Sequence, residues 1–344
     1  MHITSPHLAG LTGSCVLVLL LAIGALPSAG QNAPHGSNFL VVHGVDYRVY
    51  DRSGRVTTLE DIVEGAMGDE VLLVGEEHDD MVGHAVQTLL LNEVVRRIGT
   101  DSGRRVVLSL EMFERDVQYV LDEYLAGLIT EAHFLRSSRP WDHYEQRYRA
   151  LVEHARAFGL PVVAANAPRR YVNRVTNEGP HSLLELSEQA RAYLPPLPFP
   201  GPSNTYRAQW DALMTEAMLG MRASADSASS VREPPTEQEG ATQRAELNPN
   251  AIYSQALWDA AMGHAITEAL VRHIGGFVVH MAGSFHVEKG TGIPERIADY
   301  RPGTRLTSVV MTKVDDIDDW SAEDHGDLGD YVVLTRKPGP TAGN

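Results

Sequence analysis

Short apolar runs recur along the chain, separated by longer segments in which apolar and polar residues follow a helical period. The clearest runs lie at 71–75, 106–111, 160–167 and 276–283. Nearly every position in them is apolar, which is typical of strands buried on both faces of a parallel sheet. Helical patterns fall between them, at 79–98, 114–126 and 143–158. The sequence therefore predicts an α/β fold with a mainly parallel central sheet flanked by helices.

Two further segments are expected to extend this sheet, and a third is expected to pair on its own. Residues 305–312 and 331–337 are short apolar runs near the end of the chain. Residues 39–50 alternate in the manner of a strand around Gly44, which predicts a small hairpin or strand pair.

The alternation of strands and helices breaks between the third and fourth runs, which predicts a helical cap inserted at 177–250. Two helix-like stretches, 181–193 and 205–222, precede a polar segment at 223–250 that we expect to be a flexible insert. The α/β core then comprises 31–176 and 251–337, and residues 338–344 form a short tail that we expect to be disordered.

The N-terminus resembles an export signal. The apolar run at 15–26 is uncharged and shorter than the ~20 residues of a membrane span. Small residues follow it, and the pattern around Ser28 and Gly30 fits a cleavage site that would remove residues 1–30. We therefore expect an exported protein of the periplasm or cell envelope, although the segment before the run has no Lys or Arg and an uncleaved anchor remains the alternative.

Charge and cysteine content exclude several classes of function. The net charge of −16 disfavours nucleic acid as a partner, because an acidic surface repels phosphate backbones. The single cysteine, Cys15, excludes an intramolecular disulfide and a cysteine-rich zinc or iron–sulfur site.

Polar residues follow each of the four main apolar runs at the point where the run ends. They are Gly75, Glu76, Glu77 and His78; Glu111; Asn166; and Gly283 and His286. Ligands of open parallel sheets bind outside the carboxyl ends of the strands, so we expect these groups to converge. His78, Glu111 and His286 are the candidate catalytic residues, and with Glu77 they are candidate ligands of a divalent metal. The alternative is that they cap the following helices.

Other polar residues are candidates for the border of this site. His84 lies about two turns of helix after His78, and Gln255 and Asp259 share one face of a helix. Tyr144 and Tyr148 fall at helical spacing, which is more often a core stripe, yet a tyrosinate can ligate haem iron. Arg169 is a candidate for binding a carboxylate or phosphate.

Six strings in the chain strongly resemble the ChaN-like family, which is described as haem-binding, iron-regulated bacterial envelope proteins. They are GEEHDDMVGH at 75–84, LEMFERDVQYVLDEYLAG at 110–127, RPWDHYEQRY at 139–148, LPVVAANAPRRYV at 160–172, QALWDAAM at 255–262 and GSFHVEKGTGIPER at 283–296. The resemblance spans about 40–300 apart from the insert. The family belongs to a wider group that includes the Tiki metalloproteases, the TraB proteins and the erythromycin esterases. That group is similar in its paired Gly-x-x-His motifs and the Glu between them.

The resemblance implies two different functions. One is haem capture outside the cytoplasm, between paired subunits, with Tyr144, Tyr148, His84 and Arg169 as candidates for contact with the haem. The other is a hydrolase of the peptidase or esterase kind, because some relatives use the equivalent site with a divalent metal or with a histidine that activates water. Family examples are typically anchored by lipid, whereas Cys15 begins the apolar run rather than following it.

Overall fold

The computed structural model describes residues 40–227 and 248–338. The export signal expected at 1–30, most of the polar insert and nearly all of the C-terminal tail lie outside the described residues. No helix among the described residues has the length and apolar character needed to cross a membrane.

The described strands form one eight-stranded sheet in the spatial order β2-β1-β8-β7-β3-β6-β4-β5. Six neighbouring strands, from β8 to β5, run parallel, and the β1–β2 hairpin pairs antiparallel with β8 at one edge. The strands are β1 (Tyr47–Asp51), β2 (Val56–Thr57), β3 (Val71–Glu76), β4 (Val106–Glu114), β5 (Val162–Asn166), β6 (Phe277–Gly283), β7 (Leu306–Val314) and β8 (Tyr331–Arg336). The mainly parallel sheet predicted from the sequence is thus confirmed.

The helices cover both faces of the sheet. They are α1 (Leu59–Ala66), α2 (Met81–Val94), α3 (Gln118–Leu125), α4 (Glu131–Ser138), α5 (Tyr144–Arg147), α6 (Arg149–Phe158), α7 (Arg169–Glu178), α8 (Glu188–Arg191), α9 (Asn204–Ser227), α10 (Ala251–Arg272), α11 (Ile293–Tyr300) and α12 (Ala322–His325). The side chains of α9 are described only up to residue 216.

Some boundaries differ from the sequence pattern. The helix expected to run to about Ile98 is α-helical only to Val94 and continues as a π-helical turn, Val95–Asp101. The strand pair expected around Gly44 forms instead from β1 and β2, because Gly44 lies in a turn that precedes β1.

Alternate residues of the central strands divide the core into two layers. Leu72 and Val74 of β3 pack with α2, α5 and α6, whereas Val71 and Leu73 pack with α10 and α11 on the other face. This follows from the two-residue period of a strand. As a result, consecutive side chains at the end of any strand belong to opposite faces.

The segment predicted as a cap packs against the α10 side of the sheet. Leu183, Leu194 and Phe199 form a separate apolar cluster with residues of α7 and α10. The segment contains the 3₁₀ turn Pro180–Glu185 and the short helix α8, and α9 follows them.

Helices α10 and α11 approach one another closely at Gly263. A β-carbon on Gly263 would lie 2.5 Å from Cβ of Arg296 and 3.2 Å from its carbonyl carbon. The packing of this helix pair therefore requires glycine at a position inside a helix.

We expect Gly263→Ala to lower the free energy of unfolding by about 1–3 kcal/mol, because the added methyl group overpacks the contact. Alanine normally stabilises a helix relative to glycine, so the sign of the effect is diagnostic. Urea unfolding measures it. Gly99→Ala is the matched control, since its β-carbon would meet Val106 only at an ordinary 3.5 Å. Equal stability of the two variants would contradict the prediction.

Candidate functional site

Four strand ends that are neighbours in the sheet bring the candidate residues together. Strand β6 lies between β3 and β4, and its register pairs Gly283 with Glu76. The same strand pairs Met281 with Leu110, which places Glu111 beside the end of β6. The four-strand edge β3-β6-β4-β5 therefore carries the acidic and imidazole groups that the sequence predicted there.

Glu76 is the buried centre of one half of this site. One carboxylate oxygen accepts hydrogen bonds from Nδ1 of His78 at 2.9 Å and from the hydroxyl of Tyr148 at 2.8 Å. The other accepts from Nε2 of Gln87 at 2.5 Å and lies 3.4 Å from Nδ1 of His84. Burial opposes ionisation of Glu76, but the two imidazoles outweigh it and lower its pKa to about 2.

His78 is the exposed member of this half. Its side chain is 45% exposed, and Trp141 packs edge-on against the imidazole at 5.0 Å between ring centroids. Burial works to lower the pKa of His78, but the hydrogen bond to Glu76 and the charge of Glu111 outweigh it, so the pKa is raised. Since Nδ1 is bonded to Glu76, Nε2 is the atom that His78 offers to a ligand.

The second half of the site lies on the opposite face of the sheet. Nδ1 of His286 bonds Oδ1 of Asp259 on α10 at 2.7 Å, and its Nε2 lies 3.7 Å from Oε1 of Glu111. The other oxygen of Glu111 accepts the backbone N–H of Gly283 at 2.8 Å. Burial works to lower the pKa of His286, but Asp259 and Glu111 outweigh it and raise the pKa to about 9.

Glycine lets the two halves approach each other. A β-carbon on Gly283 would lie 3.2 Å from Nε2 of His78 and 3.7 Å from Cδ2 of His286, so both imidazoles border this one residue. A β-carbon on Gly75 would lie 2.9 Å from Cα of Ser284. The Gly-x-x-His pattern thus reflects a close approach of the two strand ends.

Of three other predicted residues, His84 contacts the cluster directly. His84 is buried and donates from Nε2 to the carbonyl oxygen of His78 at 2.9 Å, which fixes the turn after β3. Oδ1 of Asn166 and Oε1 of Gln255 are buried atoms that have no hydrogen-bond partner within the described residues. No hydrogen bond among the described residues joins either atom to the cluster, so their place in the site stays a prediction.

Glu77 does not join the cluster, contrary to its prediction as a metal ligand. Its carboxylate accepts from the Thr312 hydroxyl and the Lys313 backbone N–H, both at 2.8 Å. The alternation of β3 turns it toward β7, away from the neighbouring Glu76. Within 40–227 and 248–338, no group of three or more histidine, cysteine or acidic residues is arranged to hold a metal ion.

The two candidate tyrosines are core residues. Tyr144 packs against Phe113 and Phe134, and the hydroxyl of Tyr148 is engaged by Glu76. Burial raises the pKa of both phenols. Both tyrosines thus lie in the core, and their contact with haem stays a prediction.

Arg169 is exposed at the first residue of α7, and the structure does not bring it into the cluster. Its neighbour Arg170 is engaged elsewhere, in an ion pair of 2.5 Å with Asp116. Gln87, which the sequence analysis missed, holds Glu76; its position one turn after His84 was the available signal.

The fold and the site define an α/β protein with two imidazole–carboxylate pairs at the carboxyl edge of a parallel sheet. The model of the family described as "Haem-binding uptake, Tiki superfamily, ChaN" matches residues 62–297, and the chain belongs to this family. The family named by resemblance from the sequence is thereby confirmed.

Solved structures are similar to this chain to different degrees. A structure of ChaN from Campylobacter jejuni, described as showing cofacial heme binding, is 18% identical with a TM-score of 0.59, over 87% of this chain and 100% of that chain. A Bacillus cereus protein is 12% identical with a TM-score of 0.43, over 81% and 92% of the two chains. An erythromycin esterase variant, EreC, is 15% identical with a TM-score of 0.40, over 78% and 77%. The comparison with curated proteins gave no significant match.

We expect Glu76→Gln to lower the pKa of both His78 and His84, because each loses a buried anion that stabilises its protonated form. Titration of the imidazole C–H signals by NMR measures both values. Glu77→Gln is the matched control: it changes the neighbouring carboxylate, which bonds Thr312 and Lys313, and should leave both imidazoles unchanged. Equal shifts in the two variants would show that Glu76 does not hold the imidazoles.

Proposed function

We propose that this chain is an exported protein that binds haem and takes part in haem uptake or handling. Membership of a family described as haem-binding uptake proteins is the observation that carries the proposal. The likeness in fold to ChaN of Campylobacter jejuni supports it. Export to the periplasm or cell envelope is proposed from the apolar run at 15–26 and the small residues after it.

A paired arrangement of subunits is part of the same proposal. The relative from Campylobacter jejuni is described by cofacial heme binding. If this chain binds haem in the same manner, two haems would face one another between two copies of the chain. The stoichiometry of binding and the oligomeric state with and without haem are the measurements that bear on it.

We expect a titration of hemin into the purified protein to give a saturable shift of the Soret band, near one haem per chain. Absorption spectroscopy measures the shift, and sedimentation of the saturated protein reports whether the chains pair. The control for non-specific binding is the same protein unfolded in urea, which should give no saturable shift. A linear, unsaturated response of the folded protein would contradict the proposal.

A second candidate function is hydrolysis catalysed by the histidine cluster. The observation that favours it is the meeting of His78 and His286 at Gly283, each held through Nδ1 by its own carboxylate. Imidazoles oriented in this way serve as general acids and bases. In this role Nε2 of His78, which is the exposed nitrogen, would take a proton from the attacking water.

We expect His78→Ala to separate the two functions, because it removes the exposed imidazole and leaves buried contacts of Glu76 with Tyr148 and Gln87 in place. Hydrolysis of ester or peptide substrates should fall by about 10²-fold or more if His78 is the base. His133→Ala, at an exposed histidine on α4, is the control. Wild-type protein that hydrolyses none of a panel of such substrates would contradict the second candidate.

A further inference from the structure

Three loops meet at the edge of the sheet opposite the histidine cluster, where the parallel strands begin. They precede β3, β4 and β6, which are neighbours in the sheet. Arg104 joins them, because its guanidinium group donates to the carbonyl oxygens of Met67 at 3.1 Å and Gly275 at 3.2 Å. The loops therefore form one continuous surface. This amino-edge surface comprises Met67, Arg104, Arg105 and residues 271–275.

Apolar side chains of the amino-edge surface are exposed to water. Ile274 lies at the tip of a turn in which the N–H of Gly276 donates to the carbonyl oxygen of His273 at 2.8 Å, and its side chain is 93% exposed. Val271 is 68% exposed and Met67 is 39% exposed. Such side chains gain little from the core of this chain, whereas contact with an apolar partner would remove them from water.

Cations lie among these apolar side chains. The guanidinium group of Arg104 donates to backbone carbonyl oxygens, and Arg105 and Arg272 are exposed. Among the residues that the structure describes, none of the three forms an ion pair with a carboxylate. Burial lowers the pKa of His273, and the charges of Arg105 and Arg272 lower it further. The two guanidinium groups therefore lie near the turn that carries Ile274.

Acidic residues beside this surface are engaged by other groups. Glu70 pairs with Arg301 at 2.7 Å, and Asp69 lies 3.9 Å from Arg305. Glu268, near the end of α10, forms an ion pair with the residue that follows β4. The amino-edge surface is thus a local cationic region in a chain whose net charge is −16. A region of this kind attracts anions at short range although the whole chain repels them.

A bilayer that contains anionic phospholipid matches both properties of this surface. It presents phosphate groups at its boundary with water and apolar acyl chains beneath them. Ile274 projects from the tip of its turn, whereas Arg104 is bonded to the base of that turn. The apolar side chain therefore lies farther out than the guanidinium group of Arg104. An acidic protein would match the charges alone, so this order of groups favours the bilayer.

We propose that the amino-edge surface binds a bilayer of anionic phospholipid, with Ile274 inserted below the headgroups and Arg105 and Arg272 at the phosphates. The histidine cluster lies at the opposite edge of the sheet, so it faces away from a bilayer bound in this way. The inference goes beyond the proposed haem-binding function and does not depend on it.

The first test measures sedimentation of the purified chain with vesicles made of equal parts phosphatidylglycerol and phosphatidylcholine. The double variant Arg105→Ser/Arg272→Ser should bind these vesicles about tenfold more weakly or less, because two cations near the headgroups are lost. Ile274→Ser should weaken binding by about fivefold or more, because less apolar surface leaves water. Vesicles of phosphatidylcholine alone should bind the wild-type chain more weakly than the mixed vesicles.

The matched controls make the same kinds of change at the opposite edge of the sheet. Arg139→Ser/Lys337→Ser removes two cations, since Arg139 bonds Glu114 at the end of β4 and Lys337 follows β8. Leu40→Ser changes an apolar side chain that is 88% exposed and precedes β1, which runs antiparallel to β8. Neither control should alter binding. Circular dichroism confirms that each variant is folded.

A second measurement separates the amino-edge surface from the apolar run at 15–26, which could itself bind lipid. The single cysteine is replaced in Cys15→Ser, and a polarity-sensitive fluorophore is attached to Ile274→Cys or, as the control, to Leu40→Cys. With the mixed vesicles, emission of the label at position 274 should shift to shorter wavelength. Emission of the label at position 40 should stay unchanged.

Binding that requires phosphatidylglycerol, is weakened in both amino-edge variants and persists in the controls supports the inference, as does the shift at position 274. No binding, equal binding by all variants, or a shift at position 40 alone overturns it. Weakening in only one amino-edge variant overturns the role of the other group. If vesicles do not bind, arginine-dependent binding of polyglutamate indicates an acidic protein partner instead. Self-association that Ile274→Ser abolishes would then indicate a second copy of the chain.

Discussion

The ionised carboxylate of Glu76 is the group on which the rest of the site depends. A buried anion is costly unless donors surround it, and here the donors come from three different segments of the chain. The hydrogen bonds to Glu76 hold these donors at the end of β3. The donors lie on the turn after β3, on α2 and just after α5. Removing the anion would free His78, the exposed imidazole of the site, from its orientation.

The site combines two faces of one sheet. This explains why each of its two imidazoles is paired with a different carboxylate. Glu76 bonds His78 and Gln87 of α2, whereas His286 bonds Asp259 of α10 and lies 3.7 Å from Glu111. Each imidazole is held by a carboxylate of its own layer, so the two are independently oriented before they meet at the edge. The orientation of each imidazole therefore depends on a different carboxylate, Glu76 for His78 and Asp259 for His286.

Much of the fold was predictable because buried parallel strands have a distinctive apolar pattern. The strand ends and the paired glycine–histidine motifs followed from this pattern, whereas Asp259 followed from its helical spacing with Gln255. The placement of β6 between β3 and β4 did not, because strand order depends on contacts between distant segments. The different directions of Glu76 and Glu77 were equally hidden, since a shift of one residue reverses the face of a strand.

Hydrogen bonds join the two ends of the cap insertion. Nδ2 of Asn248 donates to the carbonyl oxygen of Thr176 at 2.6 Å, and the hydroxyls of Thr176 and Ser254 lie 2.7 Å apart. The chain therefore leaves the α/β core and re-enters it at neighbouring positions that are held together by hydrogen bonds. Since the entropy of closing a loop grows only with the logarithm of its length, parts of the segment outside the packed residues Leu183, Leu194 and Phe199 can gain or lose residues at small cost. The insertion is thus a place where relatives can diverge in size while the histidine cluster keeps its geometry.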